Sequence, residues 1–183
     1  MLNGFYVLNF FAAVWAIFGL SNANLSDWSL IIPPLMSGVI IVYAKRNLGT
    51  LPDVPPTKAR RIARLVSLCS GAEGIAILIA VGVLNILGRP VLIFPAIGII
   101  VGLHFFPLAR YLPEHDYYMT GIVLVVLGLI AIIFPSLTTI STLTFGSALT
   151  LWLTSFRIFS HIKALVGNVT GSGQASSLEA RYD

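Results

Sequence analysis

Six stretches of this sequence are each long and apolar enough to cross a lipid bilayer, and nothing else in it constrains the fold as much. A membrane helix needs about 20 mostly apolar residues. The stretches are "FYVLNFFAAVWAIFGL" from Phe5, "WSLIIPPLMSGVIIVYA" ending before Lys45, "LVSLCSGAEGIAILIAVGVLNIL", "VLIFPAIGIIVGLHFFPLA", "YYMTGIVLVVLGLIAIIF" and "ISTLTFGSALTLWLTSFRIF". Hydrocarbon offers no partner for a bare backbone amide, so each stretch must be a helix. The expected fold is all-α, an integral membrane bundle of six transmembrane helices. Composition agrees. The 183 residues are 57% hydrophobic and only 10% charged, against about 25% charged in soluble domains.

Short connections such as Gly88–Arg89–Pro90 make neighbouring helices antiparallel. The basic residues then orient the bundle, because basic loops resist translocation. With both termini cytoplasmic, ten of the eleven Lys and Arg lie inside and Arg89 alone lies outside. Six of the eleven crowd between Lys45 and Arg64, a cytoplasmic loop over about 45–64. Lys58, Arg60, Arg61 and Arg64 there are expected to meet anionic lipid headgroups, each such contact contributing about 1 kcal/mol. No folded basic face exists to track phosphates, so nucleic acid is not an expected partner. The transmembrane domain is expected over 1–163, with 164–183 a polar, Gly/Ser-rich, disordered tail. Ser21–Asn22–Ala23 has the small residues of a cleavage site, but no Lys or Arg precedes the first span as a signal peptide requires.

The spans contain a faint repeat. "EGIAILIAVG" from Glu73 parallels "TGIVLVVLG" from Thr120, and "NGFYVL" opens the first span similarly. Gly74 precedes Arg110 by 36 residues, as Gly121 precedes Arg157. Three similarly oriented hairpins would make a pseudo-threefold bundle, as in transporters built from parallel repeats. The alternative is that hairpins of membrane-spanning length resemble one another by composition alone.

Three ionisable side chains fall inside the spans: Glu73, His104 and Arg157. Charged side chains cost about 2.5–3.5 kcal/mol at the centre of an inserted helix. Glu73 lies nine residues past Arg64, about 13 Å along a helix. His104 lies six before Arg110 and Arg157 six before Lys163, about 9 Å each. All three share one half of the bilayer, and a Glu73–Arg157 pair with His104 beside it is the expected cluster. It would act either as a proton or ion relay or as a polar clamp between helices, and Arg157 alone could instead snorkel to the headgroups. Pro107 kinks the helix and frees the carbonyl of Leu103, next to His104.

Packing signals are concentrated in the third and fourth spans. Gly98 and Gly102 form a GxxxG face, while Ser67/Gly71 and Ser70/Gly74 are small-xxx-small pairs. These predict a tight hairpin between the two spans, in preference to an oligomer interface; a homo-oligomer is the alternative. Cys69 is the only cysteine and reads as a packing residue. Glu114, His115 and Asp116 are consecutive, a poor geometry for chelation, so no metal or cofactor is expected. No catalytic motif is present, so the chain is not expected to be an enzyme.

"GLHFFPLA", from Gly102, resembles a stretch of small, uncharacterised bacterial multi-pass inner-membrane proteins. The resemblance covers part of one span, implies a bacterial inner-membrane location and brings no activity with it. Two functions follow from the residues. One is small-solute or proton-linked transport through Glu73, His104 and Arg157. The other is a non-transporting structural or assembly protein in which they only clamp helices.

Overall fold

The computed structural model describes residues 2–22, 27–47, 56–111 and 115–179. Among them are helices and no strand. The six long helices are α1 (Leu2–Asn22), α2 (Ile32–Asn47), α3 (Pro56–Ile86), α4 (Ile93–Tyr111), α5 (Asp116–Ile133) and α6 (Leu137–Glu179). Single 3₁₀ turns at Asp27–Ile31 and Pro90–Leu92 lead into α2 and α4. Five of the six, α1 to α5, are long and apolar enough to cross a membrane. The protein is an all-α bundle of membrane-spanning character. The helix that fails this measure is α6, because its apolar residues are interrupted by Ser and Thr. Its Thr144, Ser147, Thr154 and Ser155 are buried against neighbouring helices, so these polar side chains face protein.

Local chemistry sets the helix ends. Gly88 adopts φ +66° and closes α3, with its N–H on the Asn85 carbonyl (3.0 Å) and the Arg89 N–H on Leu84 (2.9 Å). This double bond across a left-handed residue is the Schellman stop, which favours glycine. Ser136 opens α6 reciprocally: its Oγ accepts from the Thr139 N–H (3.2 Å) and Thr139 Oγ1 accepts from the Ser136 N–H (3.0 Å). Pro33, Pro34 and Pro95 all fall in first helical turns, where their missing N–H costs nothing. α6 runs on as helix to Glu179, through the polar stretch expected to be disordered. Extending a formed helix requires no new nucleus.

Helix α6 packs on α1, α5 and α4, and α4 lies tightly on α5. The other two helices are flanks. α2 packs on α1 and reaches α6 through Trp152 and Phe159, and α3 packs on α4. A pseudo-threefold bundle would need α2 and α3 to pack as α1 does on α6 and α5 on α4. Among the described residues no comparable α2–α3 interface forms.

The glycines correct the expected tight α3–α4 hairpin. A Cβ on Gly102 would lie 2.9 Å from the Gly121 carbonyl oxygen, and one on Gly98 would lie 3.0 Å from Leu143. The GxxxG face of α4 is therefore spent on α5 and α6. On α3, Ser70 and Gly74 are exposed, and nothing lies within 4 Å of a Cβ at Gly71 or Gly74. Small residues permit a close approach without choosing the partner, and Gly121 on α5 supplied the better fit.

Candidate functional site

Two of the three intramembrane ionisable residues meet. Glu73 projects from α3 and His104 from α4, with Oε2 3.4 Å from Nδ1. The two side chains are 12% and 11% exposed. His104 also hydrogen-bonds to the backbone of Cys69, one turn before Glu73. Its ring stands edge-on to Phe105. The imidazole, carried by α4, thus lies against the turn of α3 between Cys69 and Glu73. Pro107 follows within the same helix, three residues on, and α4 continues through it to Tyr111.

The separation of 3.4 Å allows charge pairing but is long for a direct N–H···O bond. As chemistry, the pair is an acid and a base separated by less than a water diameter plus a bond. With one proton shared between them their net charge is zero, which is the state that hydrocarbon penalises least.

Arg157 does not join them. Its Nη1 lies 3.2 Å from Asp116 Oδ1, and the side chain is 67% exposed. The expected Glu73–Arg157 pair is replaced by Arg157–Asp116, which ties the first turn of α5 to α6. The physical reason is position around the helix. Among the described residues α3 packs chiefly on α4, whereas α5 packs directly on α6 and brings Asp116 to the same level. Depth along the helices was a fair guide to level, but it contained no information about which faces meet.

A second polar assembly, which the sequence reading missed, lies in the core. Asn9 Nδ2 donates to the Phe5 carbonyl (2.9 Å) and to Ser155 Oγ (2.5 Å). Ser37 Oγ donates to the Asn9 carbonyl (2.9 Å), and Trp152 Nε1 donates to Ser37 Oγ (3.0 Å). Asn9, Ser37 and Ser155 are all buried. Nearby on the same helix, the hydroxyls of Thr154 and Thr120 lie 2.6 Å apart. These neutral groups join α1, α2, α5 and α6 where apolar packing alone would leave rotation free. The signal was available: α6 carries Ser or Thr at 144, 147, 150, 154 and 155, too many for a lipid-facing helix.

The remaining candidates take no part in either assembly. Cys69 is half-buried and free, and it offers only its backbone to His104. Arg60 and Arg64 are exposed on the first turns of α3, while the side chains of Lys58 and Arg61 lie outside the described residues. Glu114 also lies outside them, and His115 is exposed just before α5. Among the described residues no three His, Cys, Asp or Glu side chains are placed to hold a metal ion. No protein-family model, curated protein or solved structure matches the chain.

Proposed function

We propose that this chain is a multi-pass protein of a bacterial inner membrane that carries protons across it, alone or together with a small solute, with Glu73 and His104 as the proton-carrying pair. The observation that supports this is their juxtaposition. A carboxyl and an imidazole lie 3.4 Å apart and nearly shielded, within helices apolar enough to cross a bilayer. Ionisable groups kept in such places are costly, and paired ones mark proton relays by default. The proton passes between Nδ1 and Oε2 without any covalent step, so the reading requires no enzyme chemistry and no cofactor. The exposure of Arg60 and Arg64 at the basic end of α3 supports a contact of that end with anionic headgroups.

The test is proton flux into proteoliposomes that enclose a pH-sensitive dye, under an imposed pH gradient. The parent chain should acidify the lumen faster than empty vesicles. Glu73→Gln and His104→Gln should both return the rate to that of empty vesicles while keeping helix content and elution volume. Equal flux from the parent and both variants would refute the reading.

A second reading is favoured by one specific feature. Among the described residues α3 joins the body chiefly through α4, and Glu73–His104 is the one side-chain ion pair described between them. In that case the pair clamps α3 in place in a non-transporting assembly protein. Loss of folded protein in Glu73→Gln, with no flux in the parent, would select it.

A further inference from the structure

We infer that the uncovered face of α3 seats helix α2 of a second copy of this chain. The inference does not depend on the proton reading above.

The first observation is how the glycines divide. A Cβ on Gly19, Gly98, Gly102, Gly121, Gly128 or Gly146 would meet another helix at between 2.6 and 3.0 Å. Each of these, on α1, α4, α5 or α6, serves a close approach within the chain. Gly38 on α2 and Gly71, Gly74 and Gly82 on α3 have nothing within 4 Å. Among the described residues, the helical glycines at which a Cβ meets nothing sit on the two flanking helices.

The second observation is the division of α3 into three faces. At 3.6 residues per turn, Cys69, Glu73, Ala76, Ile77, Ala80 and Leu84 form one stripe and are partly buried; Leu65 and Val81 are the other partly buried residues described on α3. Leu68, Ile75, Ile79, Val83 and Ile86 form a second, large and apolar, suited to acyl chains. Ser67, Gly71, Gly74, Gly82 and Asn85 fall on the third, which is exposed and small or polar apart from Leu78. Lipid tails gain little from such a surface, whereas a helix can approach it closely.

What covers it is indicated by the chain's own interior. Within the bundle, an odd-numbered helix of one hairpin packs on an even-numbered helix of another: α1 on α6, and α5 on α4. The helix missing its even-numbered partner is α3, and the even-numbered helix without such a neighbour is α2. Their levels match as well. Gly71 lies seven residues past Arg64, and Gly38 lies seven before Lys45. Both are therefore about 10 Å from the basic end at 1.5 Å per residue. Around Gly38, the Pro34 and Val42 side chains stand exposed on either side of the gap. The contact is heterologous, with different faces meeting, so copies assemble head to tail with each α3 receiving a neighbour's α2, and they form a ring where the rotation between copies closes.

The experiment uses the full chain in membranes, in a Cys69→Ser background. One copy carries Gly38→Cys and an affinity tag, and the other carries Gly71→Cys and a second tag. A short bismaleimide should give a crosslinked band bearing both tags. Gly74→Cys in place of Gly71→Cys should also link to the Gly38→Cys copy, and that band should disappear when Gly71→Leu is added to the Gly74→Cys copy. Gly71→Leu should itself remain folded, because a Cβ there meets no other helix within 4 Å, and should elute smaller than the parent in mild detergent. A crosslink between two Gly71→Cys copies alone would overturn the pairing in favour of α3 on α3. An intramolecular link in a chain carrying both cysteines, or no link with a monomeric parent, would overturn the assembly itself.

Discussion

Replacing Gly102 by alanine adds one methyl group where α4 and α5 have no space for it. The new Cβ would lie 2.8 Å from Val125 Cγ2, 2.9 Å from the Gly121 carbonyl oxygen and 2.9 Å from the Val125 nitrogen. A side-chain methyl can rotate away. Two backbone atoms cannot, so the helices must separate by several tenths of an ångström. That movement also loosens the contacts above and below, since a Cβ on Gly121 would meet the Gly102 oxygen at 2.7 Å and one on Gly128 would meet Ile99 at 2.6 Å. Overpacking of this kind costs about 1–3 kcal/mol, or about 5- to 150-fold in the folding equilibrium at 1.4 kcal/mol per tenfold. The reference is Gly74→Ala. It meets nothing within 4 Å, so it should match the parent or gain up to about 1 kcal/mol from helix propensity. SDS-driven unfolding in mixed micelles, followed by fluorescence of the three tryptophans, measures both. Equal unfolding midpoints for Gly102→Ala and Gly74→Ala would refute the assignment of the tight interface to α4–α5.

Asn9→Ala removes the two donors that hold Phe5 and Ser155, and in the same micelle titration it should cost about 1–2 kcal/mol, the range of hydrogen bonds between membrane helices. By contrast, Arg157→Gln should shift the midpoint by less than about 1 kcal/mol, because its bond to Asp116 is largely solvent- or headgroup-exposed. A larger loss there would show that the pair is shielded and holds α5 on α6.

The candidate site was half legible in the sequence. Glu73 and His104 were marked by their rarity in apolar runs and by similar depth, and both properties are one-dimensional. Assigning Arg157 to the same cluster failed because level along the bilayer normal does not say which helix lies alongside. Asn9, Ser37, Trp152 and Ser155 were missed for a different reason. Neutral polar residues are cheap enough in a span to pass unnoticed singly, and they become informative only when α1, α2 and α6 bring them within 3.0 Å of one another.

By itself the sequence determined that the chain is helical and built from membrane-length apolar segments, since bilayer thickness and unpaired backbone amides leave no other solution. It also determined where helices stop, because Gly88 and Ser136 act on their immediate neighbours. The tertiary structure alone decided that Gly102 meets Gly121 rather than Gly74, and that Glu73 faces a histidine rather than an arginine. Lipid and protein are equally apolar to a helix, so periodicity along one span marks no unique partner. Which faces meet is settled by the shapes of all six helices together.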